Sequence, residues 1–119
     1  MATRCNIIIK DRSNRRIYLY HHHDGYPEGV GADLKKFLEQ FQEWQIRQYG
    51  GLLANKLVKN QAGLDDEEYE VAPGLHGDIQ YLYVINCKAG TLRCYEVPLH
   101  LNWEERMKHI ATRRNLIDL

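Results

Sequence analysis

Apolar positions along this chain recur with period two, then with a helical period, then with period two again, and its elements are read from those changes. Cys5-Asn6-Ile7-Ile8-Ile9-Lys10 is a β-branched run ended by the turn-forming Asp11-Arg12-Ser13-Asn14. Arg16 to about His22 continues as a second strand, so the two predict a hairpin. Alternation puts Ile17, Leu19 and His21 on the core face and Tyr18, Tyr20 and His22 on the outer face.

From Ala32 the period lengthens. Leu34, Phe37, Leu38, Phe41 and Trp44 recur at helical spacing and predict one amphipathic helix, with this aromatic stripe in the core, that stops near Gly50-Gly51. Leu53, Ala54, Leu57 and Val58 predict a second, short helix. Leu64 to Gly77 has no period and carries Asp65-Asp66-Glu67-Glu68-Tyr69-Glu70, so it reads as a solvated loop; the run lacks the spacing of a calcium loop. Ile79 to Cys87 and Thr91 to Val97 form a second hairpin around Lys88-Ala89-Gly90, ended by Pro98. With Ala89-Gly90 at the turn, Cys87 faces Leu92 and Cys94 faces Ile85. A last helix opens at Asn102 with Glu105 in capping position and Trp103, Met107, Ile110 and Ala111 as its stripe. The order ββααββα predicts a single α+β domain over 1–119, an antiparallel sheet of two hairpins with helices on one face.

Charge narrows the function classes. Sixteen basic residues cancel sixteen acidic ones, which argues against non-specific nucleic-acid binding, since that needs a basic excess or a strong basic face. The clusters Arg12/Arg15/Arg16 and Arg113/Arg114 read as solvating charges. The three cysteines make no Cys-x-x-Cys, which excludes a zinc ribbon or a thioredoxin-type motif. Cys5 lies near a second-strand histidine, the minimum for an activated thiolate, but shares its face with Ile7 and Ile9 and reads as a small buried hydrophobe. No apolar run reaches the length of a signal peptide or membrane span, so a cytoplasmic protein without a membrane partner is expected.

Candidate chemistry concentrates in Tyr20-His21-His22-His23-Asp24-Gly25-Tyr26-Pro27-Glu28-Gly29-Val30-Gly31. Strand alternation splits the three histidines between faces, and His76, Asp78 and His100 have no spacing that completes a metal site, so neither metal nor cofactor is expected. The glycines can bring backbone N–H groups to an anion at the helix start, although Glu28 and Asp33 oppose one there. No Walker or dinucleotide pattern occurs.

Thr3-Arg4, Ile17-Tyr18-Leu19-Tyr20 and His22-x-Asp24-Gly25-Tyr26-Pro27 resemble a family of small uncharacterised proteins of bacteria, phages and mobile elements. These begin Met-Ser-Thr-Arg-Ser and carry a tyrosine-x-His-Trp-Asp-Gly-Tyr-Pro motif before a helix. The resemblance covers about the first 35 residues, and His23 departs from it where the family has tryptophan. It implies a binding protein of phage or mobile-element type.

The expected site comprises Arg4, Tyr20, His22, Asp24, Gly25 and Tyr26, taking a nucleotide-like small molecule or a host protein, as in countering host defence. A second expectation is a hydrolytic or nucleotide-cleaving enzyme with His22 as general base oriented by Asp24. A third is an interaction module that forms a homo-oligomer or binds a partner through Tyr18 and Tyr20. The purely structural alternative pairs Arg4 with Asp24 to hold the turn.

Overall fold

Both hairpins form in the computed structural model, which describes residues 3–48, 53–54, 57–58, 69–97, 104 and 116–117. β1 (Cys5–Lys10) pairs antiparallel with β2 (Arg16–His21), and Tyr81–Asn86 with Thr91–Glu96. The hairpins join in one sheet, but the sheet is mixed. β1 runs parallel to Tyr81–Asn86, with Cys5 opposite Tyr81 and Lys10 opposite Asn86. The reason lies in β1 itself: Cys5 to Ile9 are all buried, and a strand covered on both faces and both edges is a central one.

Two further strands correct the expected order. Tyr69–Ala72, within the segment expected to be loop, is β3 and pairs antiparallel with the outer edge of β2. Tyr81–Asn86 and Thr91–Glu96 are then β4 and β5, and the short β6 (Leu116–Ile117) pairs with β5, giving the order β3-β2-β1-β4-β5-β6. A four-residue edge strand beside an acidic run has little local β signal; its neighbour supplies the pairing. The second hairpin also differs in register. Its turn is the four residues between Asn86 and Thr91, so Cys94 faces Tyr83 and Leu92 faces Ile85. The shift is by two residues, which leaves every side chain on its expected face.

After β2 the chain makes a π-helical turn, Pro27–Gly31, that continues into α1 (Ala32–Glu39). Leu34 and Phe37 are buried, with Leu38 and Phe41 partly buried against the same core, as the helical stripe predicts. The stripe then breaks. α1 ends at Glu39, α2 (Glu43–Gln48) follows separately, and Trp44 is 56% exposed rather than in the core. Leu53, Ala54 and Leu57 are helical and buried in the same core. The Gly50-Gly51 stop, the run 65–68 and the last helix apart from Glu104 fall outside the described residues.

The sheet has two covered faces. Ile7, Ile9, Leu19, Tyr83, Ile85 and Cys94 meet the helices on the first. On the second, Ile8, Tyr20, Leu82 and Tyr95 pack with Ile79, and Leu75 of the 73–80 connection lies against them. No helix of the described residues is long and apolar enough to cross a membrane.

Candidate functional site

The expected site residues fall into two groups. Arg4, Tyr20 and His22 belong to the second sheet face. The Arg4 guanidinium lies 3.4 Å from the Asp78 carboxylate, and the Tyr20 hydroxyl donates to the same carboxylate at 2.8 Å. His76 stacks on the Tyr20 ring with centroids 3.7 Å apart, and His22 meets that ring edge-on. His22 Nε2 pairs with Glu70 of β3 at 3.1 Å. Burial, followed by the hydrogen bond to Asp78, pushes the Tyr20 phenol well above the usual tyrosine range.

Asp24, Gly25 and Tyr26 form the second group, at the turn. β2 ends at His21, and Asp24 adopts a left-handed φ of 53°. Aspartate tolerates that region better than most residues. The Tyr26 hydroxyl donates to Asp24 at 3.1 Å, and the Asp24 carbonyl accepts from Val30 N–H. Gly25 is buried: its N–H donates to Thr3 and its carbonyl accepts from the Tyr83 hydroxyl at 2.7 Å. A Cβ on Gly25 would stand 2.9 Å from the Thr3 carbonyl oxygen, so this glycine serves backbone-to-backbone packing. Gly29 has the same role, since a Cβ there would run into the Asp24 carbonyl.

The partners therefore differ from those expected. Arg4 pairs with Asp78, and His22 with Glu70, because the chain turns away after His21 and parity no longer carries Asp24 alongside. Tyr20 is buried beneath His76, so Tyr18 and Tyr20 do not form an open aromatic surface. His21 points into the core face, donates from Nδ1 to the His23 carbonyl, and packs on Tyr69; His23 is exposed. Cys5 does sit opposite His21, but burial holds its thiol far above the usual range, which opposes a thiolate nucleophile. Cys87 and Cys94 are likewise buried thiols, each pushed up to about 11 chiefly by burial.

Asn6 was not expected in this network. Fully buried, it donates from Nδ2 to the Leu19 carbonyl and accepts on Oδ1 from His76 N–H, both at 2.8 Å. It was legible as the one polar residue in the run Cys5 to Ile9, before Lys10 ends the central strand. Asn6, Arg4 and Tyr20 together fasten the 73–80 connection to the sheet, and the Gln80 N–H donates to the Arg4 carbonyl.

At the other end of the same face lies a concavity of about 300 Å³. Ile8, Val84 and Tyr95 form its floor, Asn86 and Thr91 offer hydrogen-bonding groups, and Lys10, Arg16 and Arg93 charge it. Lys10 is the cross-strand partner of Arg16, and Arg93 stands opposite Val84. None of the three makes an ion pair among the described residues. The nearby Asp11 is taken: its carboxylate accepts from Ser13 and Arg15 N–H and pairs with the Arg15 guanidinium. The hairpin reading of the sequence contained this signal, since a strand pair closed by Asp11–Asn14 faces two cations across its base.

No family model, curated protein or solved structure matches the chain.

Proposed function

We propose that this is a small binding protein whose ligand is a phosphate-bearing, nucleotide-like small molecule held in the groove of Lys10, Arg16 and Arg93. One observation carries the reading: three cations converge on a concavity with no carboxylate in its described lining. Like charges set side by side across a strand pair oppose folding, and a bound anion would relieve them. Arginine suits phosphate through its planar fork, Asn86 and Thr91 can bond a sugar or base edge, and Tyr95 adds apolar surface to the floor. The reading keeps the expectation of a binding protein of phage or mobile-element type and moves its site away from all of Arg4, Tyr20, His22, Asp24, Gly25 and Tyr26. The resemblance of the first 35 or so residues supports the type.

Calorimetric titration with a nucleoside triphosphate, and separately with inorganic phosphate, tests it. Saturable binding is expected, lost in Arg16→Ala and Arg93→Ala variants that melt like the parent. No binding at low salt, or binding indifferent to both substitutions, rules the reading out.

A further inference from the structure

The basic groove does not stop at the sheet face. Because β1 and β4 run parallel, their outgoing turns lie at one end of the sheet. Ala89 of the β4–β5 turn lines the first groove, while Lys88 lines a second concavity of about 280 Å³ with Arg12, Trp44, Arg47 and Gln48. α2 sits directly against this turn, since a Cβ at Gly90 would stand 3.6 Å from Arg47 Nε. The two grooves thus flank a single exposed turn. Arg47 is paired with Glu43, whereas Arg12 and Lys88, like Lys10, Arg16 and Arg93, make no ion pair among the described residues. Trp44, more than half exposed, stands in the second groove and offers part of its ring to whatever lies there.

We propose that a single strand of nucleic acid follows this path, from the sheet-face groove over the 88–90 turn to Trp44. This rests on the reading that the first groove takes phosphate, and extends it to a polymer. Arg16 on β2 and Arg93 on β5 stand three strand spacings apart, about 14 Å, so the cations form a row across the sheet rather than a single point. A row of cations with an exposed aromatic ring is how single strands are held without sequence readout, phosphates on the basic groups and a base stacked on the ring. An acidic peptide would use the cations but has no planar base to stack on the exposed part of the indole. The zero net charge of the chain does not oppose this, because attraction depends on how charge is distributed.

Fluorescence anisotropy with a labelled single-stranded oligonucleotide of about 12 nucleotides is the test, run beside its duplex, polyglutamate and a nucleoside triphosphate. The single strand is expected to bind, more tightly than the duplex or polyglutamate. Its affinity should fall with salt at a log–log slope of up to about −3.5 for five cations, shrinking by about 0.7 for each of Lys10→Gln, Arg12→Gln or Lys88→Gln. Trp44→Ala should weaken the oligonucleotide about tenfold while leaving the nucleoside triphosphate unchanged. All four positions are at the surface or the strand end, and circular dichroism confirms that the variants fold. If the triphosphate binds but the oligonucleotide binds no tighter, with Arg12, Trp44 and Lys88 silent, the strand proposal is overturned and the small-ligand reading stands. If neither binds, both fall; preference for duplex or polyglutamate also overturns the strand.

Discussion

The two ends of the second sheet face present similar residue types and opposite states of pairing. At the Tyr20 end, Arg4 has Asp78, His22 has Glu70, Tyr20 has Asp78, and Asn6 has Leu19 and His76. At the hairpin-turn end, Lys10, Arg16 and Arg93 line one groove with no carboxylate in its described lining. Polar groups that satisfy each other hold structure together, and those left with charge to spare are available to a ligand. Density of titratable residues in the sequence pointed at the first end; the balance of charge points at the second.

The largest contrast should appear on truncating one residue from each end. Asn6→Ala removes a buried side chain that satisfies a carbonyl and an N–H, and should cost about 2–3 kcal/mol. Lys10→Ala should stay within about 0.5 kcal/mol, as surface substitutions do. Urea unfolding measures both, and equal losses would mean that the two ends do not differ as described.

Alkaline pH separates the ends next. The Tyr20 phenol ionises above its ordinary value of 10.0 because it is buried and bonded to Asp78. Above that pH the unfolded chain has released a proton that the folded chain still holds, so stability falls as pH rises. Tyr20→Phe should cost about 1 kcal/mol at neutral pH and flatten the alkaline limb of a stability–pH profile. Superimposable limbs would remove Tyr20 from the clasp.

How much of this was legible from sequence depends on how local each signal was. Both hairpins, the faces of their side chains and the helical stripe through Phe41 follow from local periodicity, and they stand. β3, the parallel joining of β1 to β4, and the break before Trp44 depend on neighbours that the local pattern does not name. The unbroken run Ile7-Ile8-Ile9 was nonetheless a readable sign, since a hairpin strand with one wet face would have alternated. At the site, Arg4, Tyr20 and His22 do gather, but parity misplaced Asp24 because its left-handed backbone ends the strand pattern. Asp78 and His76, the partners that matter, sit more than fifty residues away and left no trace beside the motif.

A smaller effect is expected from the motif residues themselves. His22→Gln loosens a half-exposed pair with Glu70, and Asp24→Asn keeps both the left-handed preference and an acceptor for Tyr26. Each should change stability by less than about 1 kcal/mol and leave nucleoside triphosphate affinity where it was. A large loss of binding without loss of stability in either variant would return the site to the turn.

The smallest stability change is the sharpest discriminator, because its sign is opposite to that of its effect on binding. Arg16 stands directly across from Lys10, and two like charges in that position repel. Arg16→Glu replaces the repulsion with an attractive cross-strand pair and should stabilise the fold by about 0.5 kcal/mol, seen as a melting temperature about 2 °C higher. The gain should shrink in high salt, since the pair lies at the surface. The same substitution removes one of three cations from the groove and adds a carboxylate, so phosphate-bearing ligands should no longer bind. A protein that becomes more stable as it loses its ligand has kept Arg16 at a cost to its own fold, which is the signature of a binding residue. A lower melting temperature in Arg16→Glu would instead show that Arg16 already contributes to stability, and the hairpin-turn end would then be as self-contained as the end around Tyr20.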